Sequence, residues 1–190
     1  ELLREFDPKY INITTHHSEV YFRDAGNVLY QVERLRRRPG TVAVAAAIQN
    51  KYGIPVVPHV LCSGFTKEET EYLLIDLQFL GITNLLLLRG DKAKEDKRFR
   101  PTEGGHEHTT DLEVQVNDYN NGKFVNGEKI EFIGEKFTYG VACYPEKHEE
   151  ASNMKTDMEY FKRKIELGAN YGVTQMFFDN SKYFAFVEEA

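Results

Sequence analysis

The chain has 190 residues, of which 41% are hydrophobic and 28% are charged, and its formal net charge is −6. This length fits one domain with a core of its own, and the interspersed charges disfavour a nucleic-acid binder, which normally presents a basic face. No apolar segment approaches the roughly 20 residues of a membrane-spanning helix and no signal-peptide pattern opens the chain, so we expect a cytoplasmic protein without membrane or nucleic-acid partners.

Four arginines form the nearest approach to a basic patch: Arg34, Arg36, Arg37 and Arg38. We interpret this cluster as the solvated end of a helix. Cys62 and Cys143 each fall in a predicted strand, so we expect small buried core residues rather than a disulfide or half of a zinc site. The histidine pairs His16-His17 and His106 with His108 lack convergent cysteine or carboxylate spacing, and we predict no metal site.

Five short apolar segments rich in β-forming residues are predicted strands: Tyr10 to Thr15, Val56 to Cys62, Asn84 to Leu88, Thr138 to Cys143 and Val173 to Phe178. The third is a continuous leucine run, which is typical of a strand buried on both faces of a parallel sheet. Pro58 lies inside the second strand and removes a hydrogen-bond donor from it, which is a local violation of the pattern.

Amphipathic helices are predicted between the strands. A capping box at Thr66-Lys67-Glu68-Glu69 begins one helix, which ends at Gly81. Its predicted core residues are Leu73, Leu77 and Leu80. A second helix, ending at Gly168, carries apolar residues at helical spacing: Met154, Met158, Phe161 and Ile165.

Strands that alternate with helices indicate either an open doubly wound sheet or a closed barrel, and we favour the barrel. A complete (β/α)8 TIM barrel needs roughly 250 residues. We therefore interpret residues 1–190 as one catalytic (β/α) barrel domain, incomplete at both ends, with only strands 2 to 6. Lys92 to Thr110 is either a mobile loop over the site or a solvated loop, and Lys123 to Ile130 carries an Asn-Gly signal for a type I′ hairpin.

Each predicted strand ends in polar side chains: Thr14, His59, Arg89-Gly90-Asp91, Tyr144 with His148, and Gln175 with Asp179. In a barrel these strand ends converge on one pocket, so they form the predicted ligand site. The sequence contains no glycine-rich phosphate motif of the GxGxxG or Walker type. Any nucleotide would therefore have to be held by the strand ends.

Several motifs, in this order along the chain, resemble methylenetetrahydrofolate reductase: Pro58-His59-Val60-Leu61-Cys62, Leu88-Arg89-Gly90-Asp91, Ala142-Cys143-Tyr144-Pro145-Glu146-Lys147-His148, Asp157 through Lys162-Arg163-Lys164, and Gly168 to Asp179. The resemblance runs from about Lys9 to the end of the chain. Its most specific part is the tract from Tyr144 to Asp179, whereas Arg-Gly-Asp alone is a weak signal.

The resemblance implies a flavoprotein barrel of one-carbon metabolism. Its FAD would accept a hydride from NADH or NADPH and would reduce 5,10-methylenetetrahydrofolate to 5-methyltetrahydrofolate. The implied FAD contacts are Thr14, His59, Arg89, Gly90, Asp91, Thr109, Tyr144, His148, Asp157 and Lys164. Asp91 and Gln175 would be the catalytic and folate-binding residues, and we expect a homo-oligomer.

The residue types suit these implied roles. The Asp91 carboxylate can stabilise a cationic 5-iminium form of the folate, although an ordinary loop carboxylate paired with Arg89 is the alternative. The Gln175 amide can donate to and accept from the pterin edge, or it can be a satisfied core residue. Asp157 and Lys164 lie on one helix face and point together into the cleft, or they form a surface ion pair.

One family motif has no counterpart here. The family's proton donor is a glutamate in a Phe-Glu-Phe-Phe-Pro-Pro motif on the first strand, and neither that motif nor strands seven and eight occur in this sequence. We therefore expect the chain as given to lack the general acid.

Two alternatives stay open, namely a barrel lyase of different chemistry with a Schiff base at Lys164, and a non-catalytic fragment. Tyr144 and His148 either hydrogen-bond the cofactor or are only packed loop residues.

Overall fold

The computed structural model describes residues 2–15, 19–24, 26, 30–35, 38–92, 98–131 and 134–190. The predictions for His16-His17, Arg36 and Arg37 concern residues outside these ranges. The chain divides into two compact units, Glu1–His59 and Val60–Ala190, which are described separately below.

The first unit contains one parallel strand pair and one antiparallel hairpin. Its elements in chain order are a 3-10 helix Leu2–Phe6, β1 Ile11–Ile13, β2 Glu19–Asp24, β3 Tyr30–Leu35, α1 Thr41–Tyr52 and the first part of β4 Val56–Leu61. In the parallel pair, Ile11 of β1 lies opposite Val56 of β4, and Ile13 lies opposite Pro58. Pro58 is thus part of a strand despite its missing donor.

The prediction of a helix end at Arg34 is wrong, because Arg34 lies in β3 opposite Val20 of β2. Both segments of this hairpin contain β-branched and aromatic residues, which favour strands. Gly26 lies between them with a φ of 79°, a conformation that glycine adopts without strain.

The second unit continues the alternation of strands and helices. After the end of β4 its elements are α2 Lys67–Phe79, β5 Asn84–Leu88, α3 Thr109–Asn120, β6 Thr138–Cys143, α4 Met154–Leu167, β7 Tyr171–Thr174 and α5 Asn180–Glu189. Pairing of β5 with β6 and of β6 with β7 is parallel. None of the helices in the described ranges has the length and apolar character that crossing a membrane requires.

The order of strands in the parallel sheet is β1-β4-β5-β6-β7. This order follows the chain without a reversal, whereas a doubly wound sheet reverses its strand order at a switch point. Each parallel strand from β4 onward is followed by a helix, as in a barrel. The predicted fold class is therefore confirmed as a partial (β/α) TIM barrel.

The strands β5 and β6 have the predicted bounds, and the leucines at 85–87 are buried as expected. The last strand differs, because β7 ends at Thr174 and leaves Met176 and Phe178 73% and 85% exposed. At the other end of the strand, the Tyr171 ring occupies the space beside Gly140 of β6, where any Cβ would overlap it. That contact sets the start of β7 two residues before the predicted start.

The two predicted helices form, with differences in their buried faces. In α2, Thr66 and Glu69 make the predicted capping box, but Leu74 is buried with Leu77, while Leu73 and Leu80 are half-buried. In α4, Met158 packs with Cys143 and Phe186 in a small core cluster. Ile165 is 41% exposed, because it lies beyond that cluster.

Both cysteines are free and buried, which confirms their prediction as core residues. Burial raises the pKa of the Cys62 thiol to about 12 and that of Cys143 to about 11, so both are protonated at neutral pH. Within the described ranges, no three histidine, cysteine or acidic side chains are grouped as metal ligands would be.

Two connecting segments contain more structure than predicted. Lys123 to Ile130 forms a hairpin with one antiparallel bridge, but the predicted type I′ turn is wrong because Gly127 has a positive φ and Asn126 does not. The Asn126 Oδ1 accepts a hydrogen bond from Glu128 N at 2.9 Å, which fixes an Asx turn instead. In the other segment, the described part of Lys92 to Thr110 is held at Thr102, whose Oγ1 accepts from the backbone N–H of residue 64.

Candidate active site

In the first unit, the predicted site residues Thr14 and His59 have different environments. Thr14 follows β1 and is exposed. His59 is half-buried in β4, burial lowers the pKa of its ring, and its buried Nε2 has no hydrogen-bond partner among the described residues. An orphaned nitrogen of this kind is available to a ligand.

Sequence reasoning missed the threonines that hold this region together. The Thr15 hydroxyl donates to the His59 carbonyl oxygen at 2.6 Å and hydrogen-bonds the Thr41 hydroxyl at 2.7 Å. These bonds connect the end of β1, the strand β4 and the first residue of α1. The signal in the sequence is the Thr14-Thr15 pair: the prediction names Thr14, whereas Thr15 makes the hydrogen bonds.

In the second unit, Arg89 follows β5 and forms an ion pair with Glu150, with 2.7 Å between Nη1 and Oε2. This pair lowers the pKa of the Glu150 carboxyl. The guanidinium carbon also lies 4.9 Å from the centre of the Phe99 ring. Asp91 is exposed, and Arg89 is paired with Glu150 rather than with Asp91.

Gly90 lies where β5 turns away from the sheet, with a φ of 85°. A Cβ at this position would overlap Ser63 Oγ, since Ser63 follows β4 and its backbone N–H donates to the Arg89 carbonyl oxygen at 3.0 Å. Only glycine combines this backbone conformation with this close approach.

The loop after β6 brings Tyr144, His148 and Asp157 together. The Tyr144 and His148 rings meet edge to face with 4.6 Å between their centres, and His148 N donates to Asp157 Oδ2 at 2.8 Å. The Nδ1 of His148 accepts from Glu150 N at 3.1 Å, so in a neutral ring the proton lies on Nε2. Burial, followed by the charge of Asp157, raises the pKa of Tyr144.

Lys164 approaches the same region from α4. Its Nζ donates to the Ala142 carbonyl oxygen of β6 at 3.0 Å, and the side chain is half-buried. Burial lowers the pKa of Lys164, while the charge of Asp157 opposes that shift and the charge of Arg89 adds to it. We call Arg89, Tyr144, His148, Asp157 and Lys164 the charged cluster.

The charged cluster does not include the remaining predicted site residues. Thr109 is the first residue of α3 and is buried. Gln175 follows β7, is exposed, and accepts through its Oε1 from Met176 N at 2.9 Å. Asp179 caps the N-terminus of α5 by accepting from Ser181 N. Its role in the structure is therefore that of a helix cap.

A carboxylate that sequence reasoning did not select lies behind the charged cluster. Glu113 on α3 is completely buried, and neither of its oxygens has a hydrogen-bond partner in the described part of the chain. Burial raises its pKa to about 7, although the charge of Lys164 lowers it. The sequence feature that could have identified Glu113 is its position on an apolar face of α3 beside Leu112 and Val116, where a charged residue is unexpected.

Comparison with known proteins shows which family this chain resembles. The family model described as methylenetetrahydrofolate reductase matches residues 1–190. Relatives include methylenetetrahydrofolate reductase 2 of Saccharomyces cerevisiae, with 33% identity over 72% of this chain and 21% of that protein. Methylenetetrahydrofolate reductase (NADH) 1 of Arabidopsis thaliana is 30% identical over 78% of this chain and 24% of its own length.

A bacterial relative is covered more completely. The 5,10-methylenetetrahydrofolate reductase of Escherichia coli is 27% identical over 97% of this chain and 50% of its own length. The chain thus spans about half the length of this bacterial relative and a quarter or less of the two eukaryotic ones. Because the family model matches every residue from first to last, the chain belongs to the methylenetetrahydrofolate reductase family.

Proposed function

We propose that this chain supplies the flavin-binding part of a reductase that converts 5,10-methylenetetrahydrofolate to 5-methyltetrahydrofolate with NADH or NADPH. The observation that carries the proposal is the charged cluster, because its five residues are ones to which the family resemblance gives FAD contacts. The relatives' names supply the reaction, and one of them names NADH as the reductant.

The residues present fit a dinucleotide. A pyrophosphate needs cations. Arg89 and Lys164 are two cations of the second unit, and the charge of Arg89 contributes to lowering the pKa of Lys164. A ribose or flavin edge needs directed donors, which His148 offers at Nε2 and Tyr144 at its hydroxyl. In the first unit, the unpartnered Nε2 of His59 is a further group that a ligand would satisfy.

When bound, FAD supplies the hydride chemistry that connects the nicotinamide with the folate. The chain's own groups then act on the substrate. The exposed Asp91 carboxylate would stabilise the cationic 5-iminium form of the folate, and the exposed Gln175 amide would hydrogen-bond the pterin. Thr14, Gly90 and Thr109 complete the contacts that we propose for the cofactor and substrate.

The test is a titration of the purified chain with FAD, followed by flavin fluorescence and the visible spectrum. Lys164→Met should weaken binding by about tenfold or more, because a charge-assisted hydrogen bond is typically worth about 1.5–3 kcal/mol. Lys162→Met is the matched control, since Lys162 lies on the same helix and is exposed. The proposal is refuted if the chain does not bind FAD, or if both variants weaken binding equally.

A second candidate is a barrel lyase that forms a Schiff base at Lys164, and it is favoured by the lowered pKa of that amine. Incubation with dihydroxyacetone phosphate and sodium borohydride would then leave a permanent adduct on Lys164, which mass spectrometry detects. We expect no adduct. A stoichiometric adduct on a protein that does not bind FAD would favour the lyase.

A further inference from the structure

The packing of α3 against α4 brings Glu113 beside Lys164. Asn117 lies one turn after Glu113 on α3, and its Nδ2 donates to the Leu167 carbonyl oxygen of α4 at 2.8 Å. Both helices return between parallel strands, so they run in the same direction. One turn back on each helix therefore places Glu113 opposite Lys164. The Tyr139 hydroxyl donates to Asn117 Oδ1 at 3.0 Å and fixes this register from β6.

Several charged or titratable groups face Lys164. They are Glu113 from α3, Asp157 on α4 itself, Cys143 of β6 and Arg89 after β5. Cys143 is a neutral thiol at neutral pH, and Arg89 is a cation that is already ion-paired. Asp157 accepts a backbone N–H from the loop after β6. Glu113 is the remaining carboxylate, and it makes no hydrogen bond within the described residues.

A buried carboxylate without a partner is costly, and so is a half-buried ammonium group. The two costs decrease when opposite charges share a low-dielectric region, because their attraction is then weakly screened. Glu113 and Lys164 meet this condition, since each influences the titration of the other.

We propose that Glu113 is a positioning residue that keeps Lys164 in its ammonium form at the end of β6, where that cation contacts the phosphate of a bound dinucleotide. The ligand in this statement rests on the proposed function. The coupling between Glu113 and Lys164 is a property of the chain alone, and it is tested without any ligand.

The first experiment measures the protonation of Lys164 in the ligand-free chain. With carbon-13-labelled lysine, the chemical shift of Lys164 Cε reports the charge of its amine across a pH titration, and Lys164→Arg identifies the signal. Removing one weakly screened negative charge should lower the pKa of the Lys164 amine. In Glu113→Gln we therefore expect the neutral fraction of Lys164 at a given alkaline pH to rise by about three- to tenfold. Asp118→Asn is the matched control, because it removes the same charge from a partly exposed position on α3.

An unchanged Lys164 titration in Glu113→Gln would overturn the inference, whatever the chain binds. If that variant does not fold, Glu113→Leu removes the same charge and fills the buried space with apolar atoms, and the same titration decides.

The second experiment measures FAD affinity against pH in the same variants. We expect Glu113→Gln to lose affinity at a lower pH than the unmodified chain, while Glu113→Asp, which restores the charge, recovers much of the profile. If the Lys164 titration moves but Lys164→Met binds FAD normally, then the flavin contact assigned to Lys164 fails, and with it the role given to Glu113.

Discussion

Replacing Glu113 by glutamine removes the charge that α3 buries and keeps the size of the side chain. The pKa of Glu113 is raised to about 7, against 4.5 for a solvated glutamate. Between these two pH values the folded chain holds a proton that the unfolded chain has released, so stability falls as the pH rises through this window. A difference of this size corresponds to about 3 kcal/mol, at about 1.36 kcal/mol per pH unit.

The amide of Glu113→Gln does not titrate, so the variant should keep this stability. We expect the free energy of unfolding of the unmodified chain, relative to the variant, to decrease by up to about 3 kcal/mol between pH 4.5 and 8. That is a large share of the roughly 5–15 kcal/mol that stabilises an ordinary domain. The nearby Lys164 reduces the loss but does not reverse its sign, because burial is the larger influence on Glu113.

Urea unfolding at several pH values measures this difference. Circular dichroism or tyrosine fluorescence must follow the transition, because the chain has no tryptophan and 11 tyrosines. Asp118→Asn, at a partly exposed position, controls for the change in net charge. Parallel pH profiles for the unmodified chain and Glu113→Gln would refute the argument, since they would show that the Glu113 carboxyl is ionised at the same pH in the folded and unfolded states.

Four other substitutions test separate parts of the structure. Gly90→Ala should cost about 2 kcal/mol of unfolding free energy or more, because the new Cβ meets Ser63 at a positive φ; an unchanged urea midpoint would contradict this. Thr66→Ala should cost about 1 kcal/mol through loss of the α2 cap, and a wild-type midpoint would count against it. Lys147→Met should cost about 1–2 kcal/mol, because Nζ donates to two carbonyl oxygens at 2.7 Å; equal stability would show that water replaces these bonds. In FAD-loaded protein that also carries the family's first-strand glutamate, Asp91→Asn should slow folate reduction more than flavin reduction by NADH, and equal slowing in stopped-flow half-reactions would argue against its proposed role.

The strands β4, β5 and β6 were predictable because each contains consecutive buried residues, which the sequence shows as an apolar run. The leucine run of β5 has no polar residue to place on a solvent face, so only a strand buried on both faces accommodates it. The sequences of β2 and β3 lack a regular apolar and polar alternation, so their antiparallel pairing depends on contacts between the two segments. The start of β7 depended on the contact between Tyr171 and Gly140, which involves residues far apart in sequence.

The candidate site also contains some contacts that the sequence predicts and others that it does not. Tyr144, His148 and Asp157 lie within one short tract, and the loop and helix cap that join them are local structures. The ion pair between Arg89 and Glu150 depends instead on the alignment of two strands and their loops. A sequence shows which residues carry charge, but the partner of each charge follows from packing.

The contrast between Glu113 and Asp118 on α3 shows what the sequence leaves undecided. Both are single carboxylates on one amphipathic helix, and neither belongs to a recognisable motif. Asp118 is half-solvated and pairs with Lys123 at 3.2 Å, an arrangement that contributes little to stability. Glu113 lies on the face that α4 covers, so its charge is weakly screened and acts on Lys164. The position of α4 thus turns one of two similar carboxylates into a group that affects both stability and the charged cluster.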